Sequence, residues 1–497
     1  MRVANVAFLL SIFIIPGIFS YFTCNSLPLI WLNYGIWFSM TAGFYVFVNF
    51  ALLASKARKS NDLLLATPPT LRACAFVVSY NENPELVKGT LFSVKSALND
   101  GEAIFLLDDS TDKNIVGQMR AFCKSNDINY LHRENRKGFK AGAINEALGK
   151  IYGKYDLVAI FDADQRPLPA FFHETIPYFN DTSVALVQVP QTYTELQSQI
   201  SEGALYQQEP FLRILMKGRS DRSAFSIGSG SVFRVSALMD VGGFVESSIT
   251  EDVATSLRLQ ERGYKSIYVD MPLIWYGEPP KDLGAYMSQQ GRWSFGYFQI
   301  TKDIMTRKIS FSQFFDYITG TLYWLKEGII TVFELLGPMV FLIFKVPFLK
   351  LDPVIYALAY VPYLVASMLL YALLIRKINY GISGFYLHQV VEYLAFPAIV
   401  ISFIYWLAGQ KRPFKVTPKE VVLKHTLKFV IPVIVILALL VLSDVMGILW
   451  YLSGSTLNLK LAIIMNLFWA SYQIPFLVGG VVISLNVDNK EKENLIK

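Results

Sequence analysis

Two apolar segments open the chain, from about Val3 to Phe22 and from about Pro28 to Ala54, and five more follow after about Gly320. Each reaches the length of about 20 residues that a helix needs to cross a hydrocarbon core. Between them lies a stretch of roughly 200 residues too polar to enter a bilayer. This order leaves few folds open, and the simplest is a water-soluble domain inserted between membrane helices. Of the 497 residues 53% are hydrophobic and only 17% charged, with a mean hydropathy of +0.38, which lies outside the range of ordinary soluble proteins. The first segment does not read as a signal peptide, because only Arg2 precedes it and no small-x-small site follows in Tyr21-Phe22-Thr23-Cys24-Asn25. A retained hairpin is expected, with Lys56, Arg58 and Lys59 marking the cytoplasmic side. The net charge of +6 gathers at the ends of apolar runs, which points to a lipid membrane and away from nucleic acid. Cys24, Cys74 and Cys123 are too far apart for a zinc site or a disulfide framework.

From about Leu71 to Pro279 short apolar runs alternate with segments of helical period, the pattern of an α/β domain. Strands are predicted at Ala73 to Ser79, Ala103 to Leu107, Asn129 to His132, Leu157 to Phe161, Val184 to Val189 and Ser266 to Val269. Three of them end in polar clusters: Ser79-Tyr80-Asn81-Glu82, Asp108-Asp109-Ser110 and Asp162-Ala163-Asp164. Ligands of doubly wound sheets bind beyond the carboxyl ends of parallel strands, so these clusters should share one crevice.

Each cluster has a chemical and a structural reading. Asp162 and Asp164, one residue apart after a strand, can hold a divalent cation and the diphosphate it bridges; the same pair also suits a turn or a helix cap. An Asx-turn accounts for Asp108-Asp109 equally well. Lys137 to Asn145 offers small residues, two lysines and a helix N-terminus to an anion, or it is a solvated loop capped by a helix. Thr250-Glu251-Asp252 opens a helix that Gly263 stops. Acidic residues gain about 0.3–1 kcal/mol there from the helix dipole, and the same dipole lowers a carboxylate's pKa and weakens it as a base. The stretch from about Asp282 to Ile304 is amphipathic and aromatic, suited to the membrane surface. Within it Trp293 can stack on a sugar ring and Arg292 can grip a phosphate, although both types also serve as interfacial anchors. Gly228-Ser229-Gly230-Ser231 reads as a turn before a helix. Glu327 and Glu334 are expensive in lipid, so they should face a polar interior such as a polymer channel or hydrogen-bond a neighbouring helix.

Asp108-Asp109, Asp162-x-Asp164, Thr250-Glu251-Asp252 and Gln289-x-x-Arg292-Trp293 stand in the order of the D, DxD, TED and QxxRW series. The chain thereby resembles the processive inverting family 2 glycosyltransferases, the group of cellulose, chitin and hyaluronan synthases. Phe414-Lys415-Val416-Thr417-Pro418-Lys419 is similar to the gating loop of cellulose synthases. The resemblance implies a cytoplasmic α/β GT-A (Rossmann-like) catalytic domain inserted in an α-helical transmembrane domain with interfacial amphipathic helices. It places Tyr80, Glu82 and Asp108 near the nucleoside, and Lys140, Asp162, Arg292, Thr417 and Lys419 on the nucleotide sugar. Asp162 and Asp164 would hold Mg2+ or Mn2+. Asp252 would be the catalytic base, with Trp293, Glu251 and Gln289 at the acceptor. The implied partners are a UDP-sugar, foremost UDP-glucose, and a growing β-linked polysaccharide acceptor, in a multi-pass cell-membrane protein. Transfer of a single sugar to a lipid or short acceptor, and a transporter without transferase activity, are the competing readings.

The expected divisions are 1–55 for the hairpin, 56–280 for the GT-A domain, 281–318 for interfacial helices, 319–376 for transmembrane helices, 384–424 for an interfacial helix and gating-type loop, 425–486 for further transmembrane helices and 487–497 for a cytoplasmic tail. Were all five later segments to cross, Lys411, Arg412, Lys415 and Lys419 would lie outside, against the positive-inside rule. His388 and Glu392 would also be costly in the membrane core. Tyr386 to Leu407 is therefore predicted to lie along the cytoplasmic surface, leaving about six spanning helices.

Overall fold

The computed structural model describes residues 3–59, 71–98, 102–375, 381–410, 426–454 and 456–496. The run from Phe414 to Lys419, with Thr417 and Lys419, lies outside the described residues.

The inserted domain is built on a seven-stranded mixed sheet in the order β3-β2-β1-β4-β7-β6-β8. Its strands are β1 (Ala73–Ser79), β2 (Ala103–Asp108), β3 (Asn129–His132), β4 (Leu157–Asp162), β6 (Val184–Gln188), β7 (Ser231–Arg234) and β8 (Lys265–Tyr268). A separate antiparallel pair joins β5 (Arg166–Pro167) to β9 (Ile274–Tyr276). β1, β2, β3 and β4 run parallel, and β7 runs antiparallel between β4 and β6. Both faces of the sheet are covered, which is why β1 and β4 are apolar without alternation. Ala73, Ala75 and Val77 of β1 pack into one layer with Leu157, Ala159 and Phe161 of β4, while Cys74, Phe76, Val158 and Ile160 pack into the other. The parallel connections are helices with clear starts: Asn83 caps Pro84–Ala97 and Asp112 caps Lys113–Ser125.

All six predicted strands are present within a residue or two at their ends, and three others were not expected. Gly228 to Ser231 leads into strand β7 and not into a helix, and β7 brings its first residue to the end of the sheet where β1, β2 and β4 finish.

Seven helices are long and apolar enough to cross a membrane, by length and composition: Val3–Thr23, Leu27–Ala57, Phe311–Phe344, Pro353–Leu374, Gly381–Leu407, Val430–Leu452 and Leu457–Leu485. The third begins earlier than the apolar run near Gly320, because Ser310 and Gln313 form a capping box. A π-turn at Lys326–Ile330 interrupts it where Gly328 presses on Ile399. Gly381–Leu407, of which Tyr386 to Leu407 is predicted to lie along the cytoplasmic surface, packs toward the domain: Gly203 fits against Val391, and Ser402 Oγ donates to Gly291 O at 2.8 Å.

One ionic cluster joins domain and membrane helices. Asp316, near the start of the third helix and 2% exposed, pairs with Arg222 at 2.5 Å and accepts a hydrogen bond from Ser223. Its carbonyl accepts from Arg219 Nη2 at 2.7 Å. Removing one member of such a buried pair strands the other charge, at a cost of about 3–5 kcal/mol. Asp316→Ala should therefore lower the thermal unfolding temperature of the detergent-solubilised protein clearly, and an unchanged transition would show that this cluster does not hold the two parts together.

Candidate active site

The turns that follow β1 and β2 are locked to each other. Asn81, in the left-handed region with φ 51°, donates from its backbone to Ser110 Oγ at 2.8 Å and accepts from the Thr111 N–H at 2.8 Å. Asp108 is 1% exposed, and its carboxylate accepts from Tyr130 OH at 2.7 Å and from the Ser110 N–H at 3.0 Å. Asp109 faces elsewhere: Arg133 grips it through Nε at 2.8 Å and Nη2 at 2.5 Å. The same guanidinium donates to Lys137 O at 3.1 Å and Phe139 O at 2.9 Å. Asp109 thus holds, through Arg133, the turn that starts the Phe139–Ile151 helix.

That helix presents Lys140. Its Nζ donates to Asp162 Oδ1 at 2.5 Å and to Gly228 O at 2.8 Å. The carboxylate of Asp162 is placed by the end of β4, and its backbone N–H donates to Ser229 Oγ at 3.0 Å. Buried Gln188 frames the turn from Gly228 to Gly230, donating to Ser229 O at 2.8 Å and accepting from the Ile227 N–H at 3.0 Å. Gly228 has φ 91°, and a Cβ there would stand 3.2 Å from Asp252 Oδ2 and 3.5 Å from Lys140 Nζ. A larger residue would be strained and would crowd both.

Asp252 lies in the first turn of the Glu251–Glu261 helix, where its Oδ1 accepts from the Val253 N–H at 2.8 Å. Burial, then the neighbouring Glu251 carboxylate, pushes Asp252 up to about 7. The helix dipole was expected to lower it; desolvation and like charge outweigh that effect. Burial raises Glu251 as well. Burial works against the Lys140 charge, yet Asp162, Glu251 and Asp252 together hold its ammonium above the ordinary value.

The helix Leu283–Thr306, capped by Asp282, carries Gln289, Arg292 and Trp293. Expected as an interfacial helix, it has much of its surface buried between the domain and the apolar helices. Gly296 explains how it meets the acidic turn: a Cβ there would stand 2.4 Å from Thr250 Cγ2. Gln299 Oε1 accepts from the Ile249 N–H at 3.2 Å, and Gln289 Nε2 donates to Tyr193 OH at 3.2 Å. Arg292 acts electrostatically on Glu251, and Trp293 is half-buried against the membrane-side core.

The structure therefore brings Lys140, Asp162, Glu251, Asp252 and Arg292 into one charged crevice. Tyr80 and Glu82 stand half-buried on the turn after β1, at the end of the sheet that also carries Asp108. Among the described residues no group of three or more His, Cys, Asp and Glu side chains is arranged to hold a metal ion. Asp162 and Asp164 form a half-buried pair of hard oxygen donors, which fits an ion such as Mg2+ or Mn2+ that completes its shell with phosphate and water. Sequence reasoning missed Arg133, Gln188 and Tyr193. A polar residue at the end of an apolar strand was the signal available for Gln188.

An aspartate held at about 7 when folded and near about 3.9 when unfolded binds more protons folded than unfolded between those values, so its ionisation subtracts stability as pH rises through that window. Asp252→Asn should therefore melt at a higher temperature than wild type at pH 8, with the difference shrinking toward pH 5. Equal or lower melting at pH 8 would mean that Asp252 is not held unfavourably charged.

Residues 157–379 match the profile of Glycosyl transferase family group 2. A cellulose synthase catalytic subunit [UDP-forming] from Xanthomonas axonopodis pv. citri (strain 306) is 34% identical over 263 residues, covering 50% of this chain and 35% of that protein. Glucomannan 4-beta-mannosyltransferase 9 from Arabidopsis thaliana is 34% identical over 226 residues, covering 42% of each. The chain spans less than half the length of these relatives. In fold it is similar to a mannosyltransferase from Pyrobaculum calidifontis solved in complex with GDP-Man and Mn2+, with a TM-score of 0.55 at 14% identity over 75% of this chain and 99% of that one.

Proposed function

Because the chain carries a glycosyltransferase family 2 domain similar to those of cellulose synthases and glucomannan mannosyltransferases, we propose that it is a membrane-embedded, processive, inverting hexosyltransferase. In this reading it extends a β-linked polysaccharide from a nucleotide sugar, foremost UDP-glucose, and passes the product across the bilayer. The observation that supports it most is the convergence of Lys140, Asp162 and Asp252 around Gly228, directly beside the helix that carries Arg292 and Trp293.

The donor nucleoside lies against Tyr80, Glu82 and Asp108. Lys140 and Arg292 bind the diphosphate, joined by Thr417 and Lys419. Asp162 and Asp164 hold Mg2+ or Mn2+, which when bound neutralises charge on the diphosphate leaving group. Trp293, Gln289 and Glu251 orient the acceptor sugar. Asp252 accepts the proton of the acceptor hydroxyl as its oxygen bonds to the sugar's anomeric carbon; the bond from that carbon to the diphosphate breaks, and the electron pair leaves with the nucleotide. A single displacement on an α-linked donor inverts it to a β-linkage. A carboxylate at about 7 is matched to this task near neutral pH.

Polar groups between the apolar helices suit a saccharide path. Glu327 pairs with Lys326 at 2.9 Å, Glu334 accepts from Ser39 Oγ at 2.6 Å, and Glu392 accepts from Tyr323 OH at 3.2 Å and from Gln389 Nε2 at 2.9 Å. Tyr356 and Tyr360 stack with centroids 5.7 Å apart beside Trp469. With the domain in the cytoplasm, Tyr386 to Leu407 lies along that face, which puts Lys411, Arg412, Lys415 and Lys419 on the donor's side of the membrane.

Incubation of the purified protein with Mn2+ and nucleotide sugars should release nucleotide and yield a high-mass polymer. A lipid-soluble product would indicate single transfer, and no nucleotide release would indicate transport. Asp252→Asn should cut turnover by about 10²–10⁴-fold while leaving donor affinity near wild type; retained turnover would remove Asp252 from the role of base. Asp164→Ala should weaken calorimetric UDP binding in the presence of Mn2+, and unchanged binding would count against the metal role. A cysteine placed at Arg412 should react with impermeant reagent only from the cytoplasmic side.

A further inference from the structure

Residues 242–250 lead from the short helix Val235–Asp240 into the acidic helix that carries Asp252, and a side chain on the Lys140 helix holds them. Asn145 lies little more than one turn beyond Lys140. Its Oδ1 accepts from the Phe244 N–H at 2.7 Å and its Nδ2 donates to Phe244 O at 3.0 Å, so the amide pairs with the chain as a neighbouring strand would. Phe244 is buried, its ring meeting Phe233 with centroids 5.2 Å apart, and backbone groups at such a place need partners. Gly243 permits the approach, since a Cβ there would stand 2.4 Å from Asn145 Oδ1. Nδ2 also donates to Glu246 Oε1 at 2.8 Å. The other oxygen of Glu246 faces the start of the Lys140 helix, where a Cβ on Gly138 would stand 2.6 Å from it and where the helix dipole favours a carboxylate. Glu246 also acts electrostatically on Arg133, which clamps the same turn. On the far side, Thr255 Oγ1 accepts from the Val245 N–H at 3.0 Å and donates to Glu251 O at 2.6 Å, tying the segment to the acidic helix.

From this we propose that Asn145, seconded by Glu246, is a positioning residue for transfer: it sets Asp252 against Lys140, and so the base against the diphosphate that Lys140 binds. The proposal rests on the reading of Asp252 as the base. Both groups converge on Gly228, where a Cβ would stand 3.2 Å from Asp252 Oδ2 and 3.5 Å from Lys140 Nζ, so a small shift of the acidic helix changes their relation. The Lys140 helix is held in the core of the sheet by Ala141, Ile144, Ala147 and Leu148, which do not need Asn145. Loss of the Asn145 amide therefore releases residues 242–250 and the start of the acidic helix while Lys140 and Asp162 stay in place. A displacement of about 1 Å at a reacting group costs up to about 10²-fold in rate. Turnover thus depends on Asn145, and donor affinity does not.

Nucleotide release at saturating donor, together with calorimetric UDP binding in the presence of Mn2+, tests this on the full-length protein in detergent. Asn145→Ala should lower turnover about 10–100-fold and leave the affinity and stoichiometry of UDP at their wild-type values, a split that a general loss of folded protein does not produce. Asn145→Asp, which fills the same space but loses both donated bonds, should show the same split. In an Asp252→Asn background Asn145→Ala should cost nothing further, because the group it positions is already disabled. Wild-type turnover in Asn145→Ala overturns the proposal, as does an equal loss of turnover and UDP affinity, or a full additional loss in the Asp252→Asn background. If wild type binds UDP but releases no nucleotide from any sugar donor, the transferase reading falls and the positioning role with it; if wild type turns over and Asn145→Ala matches it, only the positioning role falls.

Discussion

A single ammonium group surrounded by carboxylates organises the crevice. Lys140 reaches Asp162 at 2.5 Å and the Gly228 carbonyl at 2.8 Å, and feels the charges of Glu251 and Asp252. A unit-charge pair about 4 Å apart is worth about 4 kcal/mol at an effective dielectric near 20, so without this cation the acidic residues could not share one small space while ionised. Even with it, Asp252 is pushed up to about 7. The cluster stitches together the Lys140 helix, the end of β4, the turn before β7 and the acidic helix, which lie far apart along the chain. The same tension that makes Asp252 costly when charged makes it ready to take a proton.

The crevice is built onto the membrane part and does not merely stand beside it. Gly296 lets the helix that carries Trp293 touch Thr250, and Ser402 binds the other side of that helix at Gly291 O. Asp316, Arg222 and Ser223 fix the start of the next long helix to the domain. Polar side chains then continue away from Trp293: Tyr286 donates to Gln207 Oε1 at 2.7 Å, and Tyr323 leads to Glu392. The charged crevice and the apolar helices are parts of one packed assembly.

Much of this was legible in the sequence for definite reasons. Strands buried on both faces read as continuous apolar runs, and their polar ends marked the crevice. β5, β7 and β9 were illegible because they span only a few residues and owe their existence to partners distant in sequence. The acidic and basic residues that meet around Gly228 were singled out by type and order, but their pairings were not: nothing local tells that Asp109 turns to Arg133, or that Gln188 frames the Gly228 turn. The pKa of Asp252 was misjudged in direction because a helix dipole can be read from one segment, whereas burial and the nearness of other carboxylates arise only when several segments meet. For the helix Gly381–Leu407, length and composition suit a span, whereas His388, Glu392 and the basic residues after it led the sequence reading to set Tyr386 to Leu407 along the membrane surface; its packing on the domain at Ser402 and Gly291 comes from partners distant in sequence.

The central claim is that Asp252 and the donor's leaving group act from opposite sides of one anomeric carbon in a single displacement. The anomeric configuration of the newly formed bond, read by proton NMR on product made from an α-linked nucleotide sugar and checked with anomer-specific glycosidases, tests it most directly. A product linked entirely through β-bonds is the predicted result; an α-linked product would contradict the account.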